Sequence, residues 1–123
     1  MRFLAVSMIG VLFLFALGCS SENVKGTGTV KYSSGEPVPG GVVLFVTSTN
    51  QYSGEIANGE FTLGGIRPGD GLPPGNYKVC VVGHDATDTP YVATKYSNAD
   101  ASGISFEVQK GAQNVFDIVV EKP

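Results

Sequence analysis

His84 is the only imidazole in the chain, and that one residue bounds most of the chemistry open to it. A Ser-His-Asp relay would have to use His84 as its base. No Gly-x-Ser-x-Gly elbow is present to present a serine nucleophile. Catalytic and structural zinc, iron–sulfur clusters and haem draw on several His and Cys ligands. One His and two Cys, Cys19 and Cys80, leave almost nothing to build them from. The densest group of possible ligands is His84-Asp85-Ala86-Thr87-Asp88. Its oxygens could hold a divalent ion weakly, but they equally make a solvated loop whose acidic residues discourage aggregation. Asp70-Gly71 and Asn58-Gly59-Glu60 read as turns before they read as calcium ligands. Gly64-Gly65 and Gly69-x-Gly71 lack the following helix that would cradle a phosphate. No metal and no cofactor is therefore expected.

Binding is left. Tyr32, Tyr52, Tyr91 and Tyr96 are candidate exposed aromatics, able to stack on a sugar or on a partner protein. Tyr91 and Tyr96 fall in the longest polar segment, where binding residues often sit. They are the candidate contacts to an unknown protein or glycan. The alternative is that these rings cover the ends of the domain. A net charge of −3 argues against nucleic acid, which needs a basic surface to displace counterions.

The elements that position these residues have room for one domain in 123 residues. With 42% hydrophobic and 15% charged residues the chain is no disordered tail, and 17 Gly with 7 Pro mean many turns. Met1-Arg2 supplies a positive start, and Phe3 to Leu17 follows without a charge. Fifteen helical residues span about 22 Å, short of the ~30 Å hydrocarbon core, so a signal segment fits better than a permanent span. Ala16-Leu17-Gly18-Cys19 resembles the lipobox of bacterial lipoproteins. Gly18 and Cys19 fit that pattern, and Ala16 stands where leucine is usual. The resemblance implies cleavage before Cys19 and a diacylglyceryl group on its thiol, with the new amine acylated. Ordinary secretion would cut the same bond after Ala16-x-Gly18. The resemblance implies a lipoprotein signal peptide over residues 1–18, a lipidated Cys and short linker over 19–23, and the folded domain over 24–123. Such a linker reaches only about 14 Å, so the domain sits close to the membrane. Ser20 after the Cys is compatible, by the same resemblance, with an outer-membrane destination facing periplasm or exterior. If Cys19 is lipidated, Cys80 has no partner; if Cys19 is free, the two could form a disulfide in an oxidising envelope. In Val79-Cys80-Val81-Val82 Cys80 reads as a small buried hydrophobe.

From Val24 onward the pattern is short β runs between turn residues. Val24–Tyr32 alternates, with Lys25, Thr27, Thr29 and Lys31 on one face. Val42–Val46 is apolar on both faces, which predicts a well-covered strand. Asn58-Gly59 suits the positive φ of a type I′ turn. A two-residue loop there sets Ala57 against Glu60 and Ile56 against Phe61. It puts Ile56, Phe61 and Leu63 on the buried side and Glu55, Glu60 and Thr62 on the wet one. Tyr77, Val79 and Val81 share a face. Leu72-Pro73-Pro74-Gly75-Asn76-Tyr77 looks like a tyrosine corner, a structural role for Tyr77. In His84–Ser102 a short strand is predicted near Tyr91-Val92-Ala93-Thr94. Ile104, Phe106 and Val108 make one closing face. Lys110-Gly111-Ala112-Gln113 turns the chain, and Phe116, Ile118 and Val120 make the next face, with Asp117, Val119 and Glu121 outside. About seven strands predict an all-β antiparallel sandwich behind an N-terminal signal helix.

Val24-Lys25-Gly26-Thr27-Gly28-Thr29-Val30, Pro37-Val38-Pro39-Gly40-Gly41-Val42-Val43-Leu44-Phe45, Asn58-Gly59-Glu60-Phe61-Thr62-Leu63 and the Tyr77 segment together resemble carboxypeptidase regulatory-like, or transthyretin-like, domains. Lys95-Tyr96-Ser97-Asn98, Ser102-Gly103-Ile104 and Asn114-Val115-Phe116-Asp117-Ile118 are similar to the endings of small bacterial lipoproteins built from such a domain alone. The resemblance implies a Greek-key, prealbumin-like sandwich and a non-catalytic accessory role. The purine-pathway hydrolases of that fold rely on several His and a C-terminal Tyr-Arg-Gly-Ser, and this chain ends Val120-Glu121-Lys122-Pro123. The leading expectation is a lipid-anchored envelope protein that binds or assembles. The alternatives are a small hydrolase centred on His84 and a soluble secreted transthyretin-like carrier.

Overall fold

Alternating β-branched or aromatic residues form a strand wherever one face can be buried. A computed structural model describes residues 23–64, 70–111 and 114–123, and seven strands form there. They are β1 (Gly26–Tyr32), β2 (Val42–Val46), β3 (Gln51–Glu55), β4 (Glu60–Thr62), β5 (Gly75–Val82), β6 (Ser105–Val108) and β7 (Asn114–Val120). The expected signal segment 1–18, Cys19 and the expected linker residues 20–22 lie outside the described residues, as do Gly65–Gly69, Ala112 and Gln113.

Two sheets result, one ordered β4-β1-β7 and the other β3-β2-β5-β6. Val30, Phe61, Phe116, Ile118 and Val120 from the first meet Val43, Phe45, Tyr77, Val79, Val81 and Val108 from the second in one core. Phe45 lies at its centre. Its ring centroid is 5.1 Å from Phe116, 5.9 Å from Tyr77, 6.0 Å from Phe106 and 6.4 Å from Phe61.

Four sequence expectations are corrected. The sandwich is not wholly antiparallel: β1 and β7 pair in parallel, from Gly26↔Asn114 to Tyr32↔Val120. These two strands are joined through the whole of the other sheet rather than by a hairpin, so no turn fixes their relative direction, and the side-chain period of a strand is the same either way. The turn at Asn58-Gly59 keeps the expected register at Ala57↔Glu60 and Ser53↔Gly64. Between those points the hairpin opens, because Ile56 N–H donates to Gly41 O (2.9 Å) and Phe61 pairs with Gly28. β3 thereby joins one sheet and β4 the other. They cross so closely at Gly54 that a Cβ there would lie 2.5 Å from Thr62 O. Ile56, Phe61 and Leu63 are buried all the same, and Glu55, Glu60 and Thr62 are exposed.

The strand expected near Tyr91–Thr94 is absent. Tyr96 N–H donates to Ala93 O in a 3₁₀ turn over Thr94–Ser97. Val92 and Tyr96 both enter the core from this coiled segment, closer together than the ~13 Å that four extended residues would span. β2, expected to be covered on both faces, buries Val43 and Phe45 fully but leaves Val42, Leu44 and Val46 half-buried on its outer face.

The registers also define two ends. Asn23–Lys25, Gly71–Pro74 and the β6–β7 turn gather at one, where Val24 and Leu72 exchange backbone hydrogen bonds of 2.9 Å. Asn114 closes that turn, accepting from Gln109 N–H (2.9 Å) and donating to Gln109 O (3.0 Å). The Ser33–Gly41 loop, the Asn58-Gly59 turn, His84–Ala93 and Glu121 gather at the other, where Ala93 N–H donates to Glu121 O (2.9 Å).

Candidate functional site

The segment from β5 to β6 carries most of the residues that the sequence singles out. It begins with a tight loop organised by one carboxylate. Asp85 Oδ1 accepts from Thr87 N–H (2.8 Å), Thr87 Oγ1 (2.6 Å) and Thr89 N–H (3.0 Å). Asp88 completes the turn at φ 66°, a left-handed conformation that aspartate tolerates. The Thr87 hydroxyl first, then the Thr89 and Thr87 amides, hold the Asp85 carboxyl below the usual aspartate range. A carboxyl depressed in the fold favours the fold above its unfolded pKa and loses that effect as pH falls through its folded value. On acid titration the Thr87 and Thr89 amide resonances should therefore move together with a midpoint below the ordinary aspartate range. A midpoint at the ordinary value would mean these bonds do not persist in solution.

His84 is exposed at the rim of a cleft of about 280 Å³ that Pro90, Val92, Thr94 and Ser97 help to line. Ser97 Oγ donates to Thr94 O (2.7 Å) rather than towards the imidazole. The nearest carboxylate in sequence, Asp85, is engaged with its own threonines. Among the described residues, no three His, Cys, Asp or Glu side chains converge as a metal site would require. A second, larger groove of about 690 Å³ lies beside Thr47, Asn76, Lys78 and Asp100. Lys78 and Asp100 pair across it with both side chains largely exposed, so the pair contributes little stability.

The candidate aromatics turn inward. Tyr96 is only 5% exposed and belongs to the core, which corrects its reading as a contact residue. Tyr91 is half-buried: its ring fills the hollow left by Gly40, Gly41 and Gly83, and a Cβ on Gly40 would meet its hydroxyl at 2.9 Å. Tyr32 is half-buried and donates its hydroxyl to Tyr91 O (2.7 Å). Burial raises that hydroxyl's pKa, against a lowering by Lys122. Tyr52 packs edge-on against Tyr77, 5.9 Å between centroids. Tyr96 is thus inside the core, and the other three rings are half-buried against their neighbours.

Tyr77 is buried and donates its hydroxyl to Pro73 O, four residues upstream, at 2.6 Å. Tyr77→Phe deletes that bond while keeping the ring, and should cost about 1 kcal/mol in urea unfolding. No measurable loss would reduce the corner to packing alone. Asn58 and Gly59 hold φ of 51° and 80° in their turn. Cys80 is buried, and burial raises its thiol pKa, so the thiolate that reactivity needs is disfavoured. Cys19 lies outside the described residues. One surface feature had no counterpart among the candidate sites: Val115 and Val119 of β7 are 62% and 52% exposed. Alternation in the sequence turns Val119 outward, but a single valine on a wet face carries no signal of its own.

Comparison with protein-family models, with curated proteins and with solved structures returned no match.

Proposed function

We propose that this chain is a lipid-anchored, non-catalytic binding module of the bacterial cell envelope. The observation that carries the reading is Ala16-Leu17-Gly18-Cys19 directly after a charge-free run of fifteen residues, Phe3–Leu17. A cleavage there leaves Cys19 four residues from Asn23, where the described fold begins. Two or three acyl chains, at ~0.8 kcal/mol per buried CH₂, hold a protein far more firmly than a single chain. The tether leaves the sandwich at the Val24–Leu72 end, so the Tyr91–Glu121 end points away from the bilayer. The fold is a transthyretin-like Greek key in this reading; the strand orders β4-β1-β7 and β3-β2-β5-β6 support it. The absence of catalysis is supported by the hydrogen bonds of Ser97 and Asp85, which are spent within their own segments.

Intact mass spectrometry of the native protein should find residues 1–18 removed and acyl mass on Cys19. Cys19→Ala should move the protein from the membrane fraction to the soluble fraction. Unmodified Cys19, or a variant that stays in the membrane, would overturn the anchor.

A further inference from the structure

β7 is one edge of the three-stranded sheet, with no strand on its outer side among the described residues, and its hydrogen bonds show which way its peptide groups point. Val120 O accepts from Ser33 N–H (3.0 Å) on the β1 side, whereas Glu121 O accepts from Ala93 N–H (2.9 Å) on the opposite side. Peptide groups alternate sides along a strand. Val115, Asp117 and Val119 therefore turn their N–H and C=O groups to the open edge, and none of them has a backbone partner there among the described residues. The same three residues carry the exposed side chains. Val115 and Val119 are the two exposed large hydrophobics among the described residues, and Asp117 stands between them. The Asp117 carboxylate accepts the Thr29 hydroxyl (3.0 Å), which fixes it over the sheet. Glu60 lies on the far side of Thr29 in the same cross-strand row, and Lys31 one row on, beside Val119. Proteins usually blunt such an edge with lysine, proline or a covering loop. Here one acidic residue stands at its midpoint.

A second copy fits this edge poorly. The two-fold antiparallel pairing that uses all three residues centres on Asp117 and sets two aspartates directly opposite, which is destabilising. We infer that β7 takes up an extended segment of a different protein by strand addition, with Lys or Arg opposite Asp117 and β-branched residues opposite Val115 and Val119. Main-chain bonds supply affinity, and the acid supplies the choice of partner. The inference stands whether or not Cys19 is acylated.

The test uses the full chain, isotope-labelled and kept in detergent micelles, with two synthetic peptides, Thr-Val-Thr-Lys-Thr-Val-Thr and the same sequence with Glu at its centre. The Lys peptide should slow amide exchange at Val115, Asp117 and Val119 and bind about tenfold more tightly than the Glu peptide. Asp117→Lys should reverse that order. Val119→Pro removes an N–H that faces the open edge and leaves the β1 ladder intact, so it should weaken the Lys peptide about fivefold. Asp117→Lys keeps the question open to test should the proline variant fail to fold. Equal affinity for the two peptides, protection at other amides, or no binding at millimolar peptide would overturn the inference. So would protection of these amides that rises with protein concentration alone, which would mark pairing between copies.

Discussion

Phe45→Ala should remove about 3–5 kcal/mol of folding stability, the range for truncating a buried phenylalanine. Phe45 is 0% exposed, and its ring meets four others contributed by both sheets. Among the described residues, nothing else in the core touches both layers through so many aromatic contacts. A cavity at that point cannot close without moving Phe61, Phe116, Tyr77 and Phe106 at once, so the surrounding structure relaxes little. Single domains are stable by only ~5–15 kcal/mol, so one substitution takes a large share. The urea midpoint should fall with little change in slope. Phe45→Leu, which keeps most of the volume, should lose clearly less. A loss below about 1 kcal/mol for alanine would show that the two sheets do not close around this ring.

Gly28→Ala should be nearly as damaging, for the opposite reason. A Cβ at Gly28 would lie 2.2 Å from Phe116 O and 2.6 Å from the Phe61 ring. The ring can turn, but the carbonyl belongs to β7 and takes part in the parallel ladder. The added methyl must push β1 and β7 apart, and we expect a cost of about 3 kcal/mol, the upper end of overpacking. Gly103→Ala is the matching control. It has open space around it but φ +73°, so it should show only backbone strain of about 1 kcal/mol. Thermal unfolding of the two variants side by side separates the effects. Equal losses would mean that the close β1–β7 approach is not maintained in solution.

The contrast between these sites shows what was legible in the sequence. Alternation in Phe116–Val120 and Tyr77–Val81 identified buried faces, because burial is decided by side-chain type at a period of two. Asn58-Gly59 identified its turn, because few residue pairs accept positive φ twice. Neither rule contains information about partners distant in the chain. The parallel direction of β1 and β7 and the parting of β3 from β4 after one turn are both set by the other sheet. Gly28 and Gly54 sit at these close approaches, but a glycine within a strand does not say what it meets. The site residues fared less evenly for a related reason. Tyr96 is as polar in composition as any surface tyrosine, and only the 3₁₀ turn over Thr94–Ser97 takes it inside. Tyr91 depends on Gly40, Gly41 and Gly83, three positions brought together only in the fold. Tyr77 was legible because its partner, Pro73, is local.

The parallel pairing of β1 with β7 has a mechanical consequence. The polypeptide enters β1 at one end of the sandwich and leaves β7 at the other, seven residues along. A pull between those two points slides the strands past one another. Every rung of the ladder then resists together, instead of peeling one by one as a hairpin does when its open ends are drawn apart. Tension applied across these terminal strands meets the domain along its toughest axis.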